Sequence, residues 1–203
     1  MPILTAGTIS GRRYSIGDVG PGGGYVFITP TTAGNSTGLY FETPEKTWAS
    51  YAPTYYGDNV SSSLSGGPMC VGALGTTYQG NSNTAIGSGA ANTTFVAGLA
   101  GGGTVCYAVE NLTYNDYTDW FIPSRDELQK LYDNRASLGA ANSFVGSQYY
   151  WSSTETTDPP NPFGDVMNFA MQLGVAAQTM SASGKASALG MAIRIVRSFA
   201  ARY

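Results

Sequence analysis

Between positions 166 and 173 the chain alternates. Val166, Asn168, Ala170 and Gln172 fall on one side, and Met167, Phe169, Met171 and Leu173 on the other. A period of two predicts a half-buried β-strand with one polar face. A different period governs 104–112. There Val105, Ala108, Val109 and Leu112 recur at i, i+3, i+4 and i+7, which predicts a helix with one apolar stripe. The neighbouring "NTTFVAGLA" is a second helical candidate.

The most sharply bounded element is at 124–133. Pro123 ends the strand-like "DWFI", Ser124 has the chemistry of an N-cap, and Glu127 stands three positions on. Together they form a capping box. Leu128, Leu131 and Tyr132 share the buried face, and Asp126 and Glu127 occupy the first turn, where the helix dipole favours negative charge. These two acids therefore have an architectural role before any catalytic one.

Dense β-formers mark the remaining elements: "YVFIT" after a Gly-Pro-Gly-Gly-Gly turn, "GLYFETP", "QYYWSSTE", "GVAAQTMSA" and "MAIRIVRSF". The last three, with 166–173, are expected to form one antiparallel set. In the final strand Ile193, Ile195, Arg197 and Phe199 share a side. An arginine among apolar neighbours needs a partner, because unpaired buried charge is costly. Glu155 is the first candidate and Asp119 the second. Residues 1–13 read as an N-terminal arm ahead of a domain spanning 14–203. A Tyr-rich loop follows Trp48, and 57–82, low in charge and rich in Ser and Gly, reads as an irregular excursion.

Composition narrows the function. The 203 residues include 27 Gly and 14 Tyr, and only 11% are charged, against about 25% in ordinary soluble domains. Tyr, Ser, Gly and Asn are residues that binding loops favour. The net charge is −3 and the pI about 4.8. Beyond Arg12–Arg13 there is no basic run, so nucleic acid is not an expected partner. The absence of histidine removes Ser-His-Asp and Cys-His machinery and the common zinc sites. Glycosidase-type acid pairs would have to come from Glu110, Asp116 and Asp119, which are expected to bind backbone groups instead. The glycine run precedes a strand and lacks P-loop register, so phosphate binding is not expected. Cys70 and Cys106 could be bridged or could be two buried thiols, and their spacing leaves both open. The N-terminus has no Sec signal pattern, and no apolar run is long enough for a membrane insertion.

Five segments, in one order over roughly 14–200, carry a resemblance: "IGDVGPGGGYVFI", "AIGSGAANT", "YTDWFIPSRDELQKLYDN", "YYWSSTE" and "IRIVRSF". They resemble the bacterial and phage family of C-type-lectin-like modules typified by the C-terminal domain of the adhesin Lcl. Tyr150-Trp151-Ser152-Ser153-Thr154-Glu155 matches the family segment that opens the core sheet. Trp120-Phe121-Ile122-Pro123-Ser124 departs from its Trp-Leu-Pro-Ser by an extra residue and an Ile.

The resemblance implies an α+β, C-type-lectin-like fold. Two helices would flank a small twisted antiparallel sheet with long irregular loops, and the termini would lie close together. Trp120, Trp151, Glu155 and Arg197 would be core. It implies a non-enzymatic surface binding or display domain, such as a phage tail fibre, tip or receptor-binding protein. The partner would be a host-surface glycan or protein, and the location a virion or extracellular surface. Tyr149, Asp158, Asn161, Asp165, Asn168, Gln172 and Gln178 are the expected contacts. The aromatic ring can stack on a sugar, and the amides and carboxylates can bond its hydroxyls. No cofactor and no metal are expected, although Asp158, Asn161 and Asp165 offer oxygen ligands for calcium as an alternative. A purely structural virion or appendage subunit is the other reading. In it residues 1–13 would dock onto other subunits by strand addition or packing. A homo-oligomer fits either.

Overall fold

A computed structural model describes residues 12–45, 82–100, 105–142, 144, 149–156, 167–172, 179–184 and 193–201. The fold is α+β. Strands β1 (Tyr25–Ile28) and β2 (Tyr40–Thr43) are followed by helices α1 (Gly89–Ala100), α2 (Val105–Glu110) and α3 (Arg125–Asp133). Two short 3-10 turns lead to β3 (Tyr149–Thr156), β4 (Met167–Gln172), β5 (Thr179–Gly184) and β6 (Arg197–Phe199).

These strands form two antiparallel three-stranded sheets, ordered β1-β2-β6 and β3-β4-β5. The expected grouping of the C-terminal strands is thus corrected. The last strand leaves β3–β5 and pairs with β2, setting Glu42 opposite Arg197. It is also shorter than its sequence pattern. Ile193, Ile195 and Val196 are all buried, so the segment is enclosed on both sides and no alternation governs it. Each of the three sequence segments read as helical carries an α-helix, one more than the two the resemblance implied.

The helices form for the reasons their sequences give. Ser124 Oγ accepts from the Glu127 N–H, and Glu127 accepts from the Ser124 N–H at 2.7 Å, so the capping box is present. Leu128 and Leu131 face the core, and Tyr132 packs at its edge. In α2, Val105 and Val109 are buried. Helix α1 is apolar on more than one side: Val96 and Ala97 are buried, while Phe95 and Leu99 are exposed by 44% and 46%.

Between helices and sheets runs 120–123. Phe121 and Val196 exchange both backbone hydrogen bonds, at 2.8 and 2.9 Å, and Pro123 O accepts from the Ser153 N–H. The segment therefore links β3 to the chain entering β6. Trp120 and Trp151 are buried within one apolar cluster with Ile122, Val105 and Ile195. Trp120 Nε1 donates to Tyr114 O at 3.0 Å. Among the described residues no helix is long and apolar enough to cross a membrane.

Candidate functional site

Arg197 sits at the meeting point of four chain segments. Its guanidinium donates to Glu42 Oε1 at 2.7 Å and to both oxygens of Asp119, at 2.7 and 2.9 Å. Its face lies 3.8 Å from the centre of the Tyr117 ring, a cation–π contact. Glu42, in place of Glu155, is thus the buried partner, and the second candidate Asp119 is the other. Glu155 is buried on β3 and takes no part in this pairing. Glu42 is fully enclosed, whereas the Asp119 side chain is 54% exposed.

The glycine run completes this arrangement. Gly22 N–H donates to Glu42 Oε1 and Gly24 N–H to Oε2, at 2.9 and 3.0 Å. A Cβ on Gly22 would lie 2.7 Å from Glu42 Oε1, 3.0 Å from Arg197 Cδ and 3.1 Å from Trp120 Cζ2. The loop must be bare so that its backbone can close on the carboxylate. What reads in sequence as a turn is thus an anion cradle whose anion belongs to the same chain. Burial raises the Glu42 carboxyl above its ordinary value, against the pull of Arg197 and the glycine N–H groups. Burial opposes the Arg197 charge, but Asp119 and Glu42 outweigh it and raise the guanidinium's pKa.

Glu127 is a second enclosed carboxylate. Oε1 accepts from the Gly87 N–H at 2.7 Å and Oε2 from that of Ser124, and the Gly89 N–H contributes as well. It therefore joins the start of α1 to the start of α3. Ser124 Oγ donates to Ala85 O, Asp126 N–H to Thr84 O and Thr154 Oγ1 to Asn83 O, so 83–89 is held along its length. Burial pushes Glu127 up to about 7, and the N–H donors only partly offset it. A carboxyl near 7 has the titration of a general acid. Its side chain is buried with its oxygens committed to backbone donors, which gives it an architectural role.

Two of the three acids considered for glycosidase chemistry are committed to side chains rather than backbone. Glu110 accepts from Thr94 Oγ1 and Asp119 from Arg197. Asp116 occupies a tight Tyr114–Tyr117 turn at φ +64°, after Asn115 at +50°.

Of the expected contact residues, three fall on the second sheet. Tyr149 and Gln172 are direct cross-strand partners, and Asn168 stands opposite Glu155. On the other side of β4 the register sets Asn168 against Ser183 and Gln172 against Thr179. Asp158, Asn161, Asp165 and Gln178 lie outside the described residues, and the calcium alternative with them. So do residues 1–11 of the arm, the loops after Trp48, and Cys70. Cys106 is buried in α2. No group of acids or Cys that could hold a metal ion occurs among the described residues.

A shallow cleft of about 330 Å³, broadly open to solvent, lies where the turn after β1 meets the end of α3, lined by Ile16, Thr29, Thr31, Thr32, Lys130, Asp133 and Asn134. Nothing local in the sequence marks it, because its two walls are about a hundred positions apart. A second buried arginine also went unnoticed. Arg194 reaches Asn142 Oδ1 and O at 3.4 and 3.3 Å and lies over the Phe144 ring. Compared with protein-family models, curated proteins and solved structures, the chain matches none.

Proposed function

We propose that this chain is a C-type-lectin-like binding or display domain of a phage virion or bacterial surface assembly, recognising a host glycan or surface protein. The observation that carries the reading is a division between the two sheets. Sheet β1-β2-β6 gathers the first and last described strands and is locked by Glu42 and Arg197. Tyr149, Asn168 and Gln172 all fall on the other sheet. Such a plan separates anchoring from recognition. Tyr14 packs edge-on against Tyr40 and Phe199, so the preceding arm leaves from the anchoring sheet. Docking through residues 1–13 would then leave the β3-β4-β5 sheet clear of the docking partner.

The test is binding of the isolated chain to a glycan array and to a panel of bacterial cells. A variant with Asp158, Asn161, Asp165 and Gln178 all changed to Ala is measured alongside it. The reading expects binding that the variant loses. A chain that binds no surface in either format contradicts it. Deleting residues 1–13 is expected to abolish incorporation into the assembly while sparing ligand binding. The purely structural alternative expects no binding in either form.

A further inference from the structure

We propose that the cleft between the β1 turn and the end of α3 is a subsite for one uncharged sugar ring. The inference rests on the reading of the chain as a recognition domain; it narrows the glycan to one neutral ring and adds a contact beside β1, separate from the β3-β4-β5 sheet. The volume, about 330 Å³, lies at the small end of ligand sites and suits a monosaccharide-sized molecule.

The lining fits neutral polyols better than ions. Lys130 Nζ and Asp133 Oδ2 are 4.0 Å apart, near enough to cancel as charges yet too far for a hydrogen bond. The ammonium therefore keeps donors, and the carboxylate keeps acceptor capacity beyond the bond that Oδ1 takes from Gln129. A phosphate would meet the carboxylate and a metal cation the ammonium. The hydroxyls of Thr29, Thr31 and Thr32 form a cluster with spacings of 3.2 Å, and each can turn to donate or accept. Sugar hydroxyls need that double capacity. Ile16 supplies an apolar wall for the C–H face of a ring.

The walls are also set in advance. Thr29 N–H donates to Thr32 Oγ1 and Thr32 N–H to Thr29 O, at 2.9 and 3.0 Å. Asn134 Nδ2 donates to Phe27 O at 2.9 Å, which ties the end of α3 to β1. Groups fixed this way need little reordering on binding.

The experiment is an amide NMR titration of the full chain with glucose, galactose, mannose, rhamnose and N-acetylglucosamine, each on its own. At least one sugar is expected to shift the amides of Thr31, Thr32, Lys130 and Asp133. The variants Asp133→Ala and Thr31→Val change exposed side chains that hold no core contact. Each is expected to weaken that binding by about tenfold or more with an unchanged melting temperature. Lys130→Met provides an independent check from the same wall. Sugar binding that shifts other amides and ignores these substitutions overturns the subsite and leaves the recognition reading standing. No shift with any sugar also overturns the subsite, and the array and cell assays then judge the recognition reading alone.

Discussion

Gly22 and Gly98 show how one residue type serves opposite ends. Gly22 is pressed against Glu42, Arg197 and Trp120, whereas Gly98, in α1, has nothing within 4 Å of where a Cβ would be. Gly22→Ala is therefore expected to cost about 1–3 kcal/mol through overpacking. Gly98→Ala is expected to add about 0.5–1 kcal/mol by relieving backbone entropy in a helix. Urea denaturation of the two variants checks both signs. The carboxylates around Arg197 should differ in the same way. Glu42 is enclosed, and Glu42→Ala leaves the guanidinium without its buried partner, at a cost of about 3–5 kcal/mol. The Asp119 side chain is 54% exposed, and Asp119→Ala should cost no more than about 1 kcal/mol. Equal losses would mean that the two ion pairs are not distinguished by burial.

At the scale of elements, Glu127 couples the starts of two helices to pH. Its folded pKa is raised from 4.5 to about 7 by burial, so between those values the folded chain holds more proton than the unfolded chain. The stability from this group is full below about 4.5 and is lost as pH rises through about 7, at no more than about 1.4 kcal/mol per pH unit. Glu42 is shifted in the same direction. Urea midpoints taken from pH 4.5 to 7.5 are expected to fall, and Glu127→Gln is expected to flatten the trend. That variant also places an amide donor against backbone N–H groups, so it should be less stable at every pH, by about 1–3 kcal/mol. An unchanged slope in the variant would remove Glu127 from this role.

The capping box at Ser124 and Glu127 was legible because its signal lies within four residues. The helix at α2 and the strand at β4 were legible for the same reason, although α2 ends at Glu110, before the Leu112 of its apolar stripe. Glu127's reach to Gly87 was not, since nothing local to either residue indicates the other. Glu42 was missed although it offered a clue: it is a lone acid in a short β-forming run, and the glycine loop's N–H groups need an acceptor.

Across the whole molecule, distance in sequence decided what could be read. Arg197 and Glu42 are 155 positions apart, and their pairing follows from β6 joining β2. Sequence pattern marked β6 as a strand and its arginine as needing an acid, and it offered Asp119 as well as Glu155. It could not choose the sheet, because an edge of either sheet accepts an antiparallel strand. The same arrangement brings the first and last described strands together, so both ends of the recognition reading depend on it.

The central claim is that two enclosed carboxylates, Glu42 and Glu127, knit remote segments into one frame. Native-state hydrogen exchange tests it most directly. The amides of Gly22, Gly24 and Gly87 lie in loops, and their acceptors are these side chains. They are expected to exchange within about tenfold of the Phe121 and Val196 amides, by global unfolding. Exchange of those glycines orders of magnitude faster, through local openings insensitive to denaturant, would contradict the account.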